Sequence, residues 1–494
     1  MGVKRKIDAI SGVVSLTDPI QCTIAQMLYF TLDRQGLIRR KSHVSSDLFP
    51  LHATLHTTPC LSLYARVNKF KKLHMSSFIS VSENSPLKYT LMRCMRGTLH
   101  IIPSAMFNTV ASAYNFIGNP AATTRVDQFK VKMKEVVYFS ELIMNKLLEH
   151  GPMSATNLVT CVQESEVSSS PFKVKSYNHT SGKWTVSSTN VKIALAHMYS
   201  QSQVQFGLGS LVTPANQTSL GWKTNSRLYG YANLCYEATD GGDPKLTPSY
   251  TTSNSANPSS PLISTSISTL PNIQHTVKSL EDLMEWYFHL YSPASFQDFV
   301  WWSGKKVGEV RSVFNSLLAS SSLVEVRVIG LNKTLYCSST LIDSLVSSPS
   351  LPSHPNVSSS SAKLKKKKGK LTPSDGYIVR FLPYEDAILK AYKDTRFRFY
   401  HNNENDQLLV DQTVESCFMY KGEAMPSIWI DGQVIGGWQW KNSKKAAECQ
   451  IVKIFTPTAC TEWQKCAIQQ ELLNTCEFLD ISEPEIEYYV GSVR

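Results

Sequence analysis

Apolar positions recur along this chain at two spacings, and the change between them divides it. From residue 20 to about 346 the spacing is mostly helical. From Asp375 onward it shortens to strand-like runs separated by turns. Ile20, Ile24, Met27, Leu28 and Leu32 predict a helix within residues 20–40, with Thr17-Asp18-Pro19 as its cap and early proline. Residues 91–103 predict a strand pair, or a single strand with a break at Gly97. The pattern then restarts. Val136, Val137, Phe139, Leu142, Ile143, Leu147 and Leu148 predict a long amphipathic helix. His150-Gly151-Pro152-Met153-Ser154 stops it, and Ser154 caps a second short helix through Leu158. After a polar insertion at about 164–190, residues 191–199 predict a helix, and residues 204–207 and 222–231 predict strands. A third restart runs through Leu280, Leu283, Met284, Tyr287 and Leu290 to the stop and new cap at Ser292-Pro293-Ala294-Ser295. A helix at about 306–320 and a hairpin through residues 323–328, Lys333, Leu335 and Tyr336 follow.

A helix, turn, helix and strand pair occurring three times predicts an α+β chain of three tandem winged-helix (helix-turn-helix) domains, repeated in architecture rather than in close sequence. The last quarter predicts a C-terminal β-barrel-like domain. Its strands are 377–382, 427–430 and 434–438, Asp431-Gly432 is its hairpin turn, and a helix near 462–476 closes it. The expected boundaries are 15–125, 130–238 and 276–346 for the three winged helices and 373–494 for the C-terminal domain. Residues 239–275, rich in Ser, Thr and Pro, and residues 347–372, rich in Ser and Lys, read as linkers. The run Lys363-Leu364-Lys365-Lys366-Lys367-Lys368-Gly369-Lys370 reads as a solubilising linker, with a nuclear address or a nucleic-acid tether as the alternative.

Composition narrows the class. A chain of 494 residues exceeds what one core supports. No stretch approaches a membrane span, and no apolar region follows the basic Met-Gly-Val-Lys-Arg-Lys start. The 11 cysteines form no CxxC pair and are odd in number, so a complete intrachain disulfide framework is excluded and an intracellular location is expected: the nucleus if the source is eukaryotic, otherwise the cytoplasm. Without a signal peptide the sequons at Asn178 and Asn216 are discounted, and no metal-ligand spacing is present. Net charge is +11 and unevenly spread. Residues 1–150 carry 19 Lys/Arg against 9 Asp/Glu, whereas residues 371–494 carry 12 against 18. A basic excess confined to one end points to a polyanionic partner there.

Several runs together resemble one family. They are Met95-Arg96-Gly97-Thr98-Leu99-His100, Gly151-Pro152-Met153-Ser154, Ser292-Pro293-Ala294-Ser295 with Asp298-Phe299-Val300-Trp301-Trp302-Ser303-Gly304, Phe381-Leu382-Pro383-Tyr384-Glu385-Asp386 with Tyr392-Lys393-Asp394, and Ile430-Asp431-Gly432-Gln433-Val434-Ile435-Gly436. In this order they look like the winged-helix DNA-binding proteins of the AlkZ/YcaQ type, which are bacterial DNA glycosylases and their relatives. The resemblance implies three winged helices and a C-terminal β-barrel curved around double-stranded DNA. It also implies hydrolysis of the N-glycosidic bond of alkylated purines, including crosslinked ones. Members with this chemistry carry Gln-apolar-Gln or Gln-apolar-Asp just before a Pro-x-Leu-x-Leu-x-Ala-Arg run. Here that position, ahead of Pro59 to Arg66, reads His52-Ala53-Thr54. The textual match Gln203-Val204-Gln205 falls in the second repeat and is not the site.

His52 and Thr54 are therefore the candidate catalytic residues, two apart and on one side of an extended segment. A neutral His52 would accept a proton from the attacking water, Thr54 would hold that water through its hydroxyl, and His56 is a second candidate base. Arg66, Lys69, Lys71, Lys72, Arg96 and His100 are candidate DNA contacts, while Trp301 and Trp302 read as packing residues. No cofactor or metal is expected, and the chain is expected to act as a monomer. The competing reading is a non-catalytic DNA-binding or regulatory protein with a degenerate site; an RNA-binding or scaffold role is a third.

Overall fold

A computed structural model describes residues 20–54, 57–71, 89–114, 131–150, 153–165, 175–178, 183–186, 190–195, 204–207, 228–231, 277–351, 378–400, 417–418, 422–442, 450–479 and 483–491. Strand β1 (Ile20–Thr23) leads into helix α1 (Ile24–Arg34). The cap is Thr23, whose hydroxyl accepts from the Gln26 backbone N–H while the Gln26 side chain accepts from the Thr23 N–H. The helix thus begins later than its apolar spacing predicts. Ile20 belongs to the strand, and Thr17-Asp18-Pro19 lies outside the described residues.

One connectivity then recurs. The short strand β2 (Leu51–His52) precedes helix α2 (Thr57–Arg66), and a hairpin follows, β3 (Tyr89–Arg93) and β4 (Leu99–Pro103), with β2 pairing onto β4. Helix α3 (Phe107–Tyr114) closes the unit. In the second unit, helix α4 (Met133–His150) comes first. Strand β5 (Met153–Ser154) precedes helix α5 (Ala155–Ser165), and β5 pairs onto β9 (Leu228–Tyr231), itself paired with β8 (Val204–Gly207). The polar insertion holds a separate two-stranded ladder, β6 (Lys175–Asn178) with β7 (Lys183–Val186).

The third unit has helix α6 (Val277–Tyr291), helix α7 (Phe296–Ser303) capped by a Ser295/Asp298 box, and helix α8 (Val307–Ala319). Its hairpin is β10 (Leu323–Ile329) with β11 (Thr334–Ser338), the short helix α9 (Ile342–Val346) follows, and Ala294, just before α7, bridges to Tyr336. So three times a short extended segment ahead of a helix pairs onto the second hairpin strand. The chain start departs from its expected boundary: β1 pairs in parallel with β10, which attaches residues 20–23 to the third unit's sheet. The core reflects this, because Met27, Leu28 and Leu32 of α1 pack in one cluster with Leu283, Tyr287 and Phe299.

The C-terminal region corrects the barrel expectation. Its strands β12 (Val379–Leu382), β13 (Ser427–Ile430), β14 (Gln433–Asn442), β15 (Gln450–Thr456) and β16 (Glu485–Val490) form an open sheet in that order. The β15–β16 pairing is parallel, which requires a crossover. The short helix α10 in this region (Ala387–Lys390) follows β12, and helix α11 (Glu462–Leu479) is the crossover. It delivers β16 to the far edge, beyond β15, so the sheet extends instead of closing. Ile468, Leu472 and Cys476 of α11 cover Phe381, Ile428 and Val452, and Leu61 of α2 enters the same cluster. Through that contact the C-terminal sheet docks on the first unit.

Candidate active site

His52 ends β2 opposite His100 of β4, so both imidazoles leave the same face of the small sheet. Their ring centroids are 5.5 Å apart, edge to face. Thr54 stands at the surface, its Oγ1 3.2 Å from His52 Nε2 in a shared hydrogen bond. The opposing wall is the turn between β12 and α10. Glu385 there has φ 58°, in the left-handed region, and is buried. Its Oε1 accepts from the Ala424 N–H at 2.6 Å, and its own N–H donates to the Ala424 carbonyl at 2.8 Å. Its Oε2 lies 2.7 Å from Lys390 Nζ and 3.9 Å from His52 Nε2.

His52, His100, Arg96, Thr98, Glu385 and Lys390 border a cavity of about 20 Å³. That is room for a water molecule and not for a nucleobase. Burial pushes the His52 imidazole down to about 2, helped by His100 and Lys390. Burial likewise lowers His100 to about 4, against the pull of its hydrogen bond to Thr98. Both rings are therefore neutral near pH 7. His100 Nδ1–H donates to the Thr98 carbonyl at 3.0 Å, which leaves its Nε2 as an acceptor. Lys390 is also lowered, chiefly by burial, with the Glu385 carboxylate opposing the shift.

Arg96 flanks the cavity. It sits in the left-handed region at φ 54°, and its guanidinium lies 3.5 Å from the Trp301 ring centroid. Lys393 and Lys390 approach the same ring at 4.9 and 5.8 Å. Gly304, the left-handed C-cap of α7, permits this turn to approach: a Cβ there would sit 3.1 Å from Arg96 Cα. Trp302 is buried, as expected of a packing residue, whereas Trp301 is half-buried and carries the cations.

Among the expected site residues, His52, Thr54, Arg96 and His100 come together. Arg66 does not join them, and its expected DNA contact is corrected. It is 0% exposed, and its guanidinium is bidentate to Asp386, Nη1 to Oδ2 at 2.9 Å and Nη2 to Oδ1 at 2.6 Å. Nη1 also donates to the Ser62 carbonyl, and the Ser62 hydroxyl donates to Asp386. A side chain so enclosed meets no phosphate. Lys69 and Lys71 are exposed beyond the end of α2. His56 and Lys72 lie outside the described residues. Glu385 and Lys390 were missed as site residues. The signal was two adjacent acids set in the apolar run from Phe381 to Leu389, since charges in such a run are buried and need partners.

Fold and cavity together define a class: a multi-unit α+β protein that gathers His52, His100, Glu385 and Lys390 around one cavity where the first unit meets the C-terminal sheet. The family model described as DNA glycosylase AlkZ-like matches residues 46–477, and the chain belongs to that family. Among solved structures it is similar to Streptomyces sahachiroi DNA glycosylase AlkZ, at 15% identity and a TM-score of 0.59, over 95% of this chain and 100% of that one. At that identity the likeness is one of fold. No curated protein matches the sequence. Among the described residues no helix is long and apolar enough to cross a membrane, and no group of three His, Cys, Asp or Glu side chains is placed to hold a metal ion.

Proposed function

We propose that this protein is a DNA glycosylase that hydrolyses the N-glycosidic bond of alkylated purines, crosslinked ones included, in double-stranded DNA. The observation that carries this reading is the size and lining of the cavity. It accepts a water between His52 and Glu385, with Thr54 hydrogen-bonded to His52 from the surface, but no base. The target purine therefore stays outside, and the two imidazoles bordering the cavity are neutral and do not protonate it. A leaving base that lacks protein acid catalysis must be activated already, as a cationic alkylpurine is. His52 and Thr54 orient the water beside the anomeric carbon. A neutral His52 places no positive charge against the developing sugar cation.

Three tandem winged helices are the reading of the recurring short-strand, helix and hairpin order. Arg96 on Trp301, with Lys393 beside it, and the exposed Lys69 and Lys71 supply cations for DNA phosphates. Release of 7-methylguanine from methylated duplex tests the function. Wild-type protein liberates the base, and His52→Ala lowers the single-turnover rate by about 10²-fold. Salt-steep duplex binding with the damaged bases left in place, equally in wild type and variant, would instead select the non-catalytic reading.

A further inference from the structure

We propose that Glu385 is the general base of this site: its carboxylate takes the proton of the attacking water and faces the positive charge that forms on the sugar. This rests on the glycosylase reading above. Three observations lead to it. First, His52 is the wrong group to accept the proton. Its Nδ1 is buried with no hydrogen-bond partner among the described residues. A buried N–H left unpaired costs about 1–3 kcal/mol, so the hydrogen belongs on Nε2, where Thr54 Oγ1 can receive it at 3.2 Å. A His52 that donates from Nε2 holds the water by its oxygen and leaves the water's protons pointing elsewhere. Thr54, a hydroxyl, is no base at neutral pH.

Second, Glu385 supplies the carboxylate on the cavity wall. The neighbouring acid Glu423 is engaged by the Tyr384 hydroxyl. Asp386 is sealed against Arg66. Third, the carboxylate is held in one orientation. The Ala424 N–H fixes Oε1, and Lys390 at 2.7 Å fixes Oε2. The 3.9 Å between Oε2 and His52 Nε2 is too long for a direct hydrogen bond. A water in the cavity reaches both.

The step balances. The C1′–N bond breaks, and its electron pair leaves with the cationic purine, which departs neutral. The water oxygen bonds to C1′, and one water proton passes to Glu385. The resulting acid returns that proton to solvent, leaving a free base and an abasic hemiacetal.

The experiment uses the full chain, Glu385→Gln, and Glu385→Gly, which suits a left-handed backbone. Glu385→Gln lowers the single-turnover release of 7-methylguanine by about 10²–10⁴-fold, and added formate restores part of the rate in Glu385→Gly. Independently of any base release, wild-type protein binds duplex carrying a cationic pyrrolidine abasic analogue about tenfold more tightly than duplex carrying the neutral tetrahydrofuran analogue, and Glu385→Gln abolishes that preference. Base release by Glu385→Gln at the wild-type rate, or equal binding of the two analogues by wild type, overturns the proposal. If wild type releases no 7-methylguanine yet shows the pyrrolidine preference and loses it in Glu385→Gln, the substrate reading fails while the role of Glu385 stands.

Discussion

Glu385 and Asp386 are neighbours on one turn, and both reach from the C-terminal region into the first unit, yet they end in opposite conditions. Asp386 meets Arg66 in a bidentate pair, receives the Ser62 hydroxyl and caps α10 through the Ile388 N–H. Its partners surround it, and the cluster is closed. Glu385 is equally buried and is held by Lys390 and the Ala424 N–H, but it also borders a cavity and faces a histidine across 3.9 Å. One pair joins two units of the fold. The other is held in one orientation and borders a space that a water can enter. Adjacent positions, the same burial and the same chemical group thus serve different ends, and the number of direct partners separates them.

The largest effect belongs to the closed pair. Arg66→Met leaves the Asp386 carboxylate buried without its counter-ion, and the expected loss of stability is about 3–5 kcal/mol. A fall in the thermal unfolding midpoint reads it out. The double variant Arg66→Met/Asp386→Leu recovers much of the loss, because replacing both charges removes the stranded one. If the single variant unfolds at the wild-type temperature, the joint between the first unit and the C-terminal sheet does not depend on this pair.

Acid sharpens the contrast from the open side. An imidazole kept neutral by the fold binds its proton only after unfolding, so unfolding takes up protons and stability falls as pH drops. The stabilisation is intact above pH 6.5 and erodes below it. The erosion from His100 ends near pH 4, and that from His52 continues toward pH 2. Each ring contributes at most about 1.4 kcal/mol per pH unit. Unfolding midpoints between pH 7 and pH 4.5 should therefore drop more steeply for wild type than for His52→Gln, which has one imidazole fewer. Parallel curves would mean that His52 is protonated as readily in the fold as in the open chain.

The sequence carried the local half of this picture. The Ser295 cap, the hairpin at Asp431-Gly432, the amphipathic α4 and α6, and the pairing of His52 with Thr54 on one strand end all follow from spacing over a few residues. What it did not show depends on distance along the chain. Glu385 is more than 300 residues from His52, Arg66 reads as a helix-end cation until Asp386 is seen against it, and β1 finds its partner in β10. The open sheet was hidden for a similar reason: strand spacing does not say whether the last strand returns in parallel to the far edge or closes onto the first.

The smallest change separates the orienting of the water from the taking of its proton. Thr54 is exposed, and its described contact at the site is the 3.2 Å hydrogen bond with His52 Nε2. Thr54→Val keeps the shape of the side chain and removes only the hydroxyl. Because the position is at the surface, the unfolding midpoint should stay where it is. One neutral hydrogen bond is worth about 1 kcal/mol, so base release should slow by roughly five- to tenfold, far less than in Glu385→Gln. A loss as deep as that of the carboxylate variant would place Thr54 in the proton's path, and the division of labour between Thr54 and Glu385 would have to be redrawn.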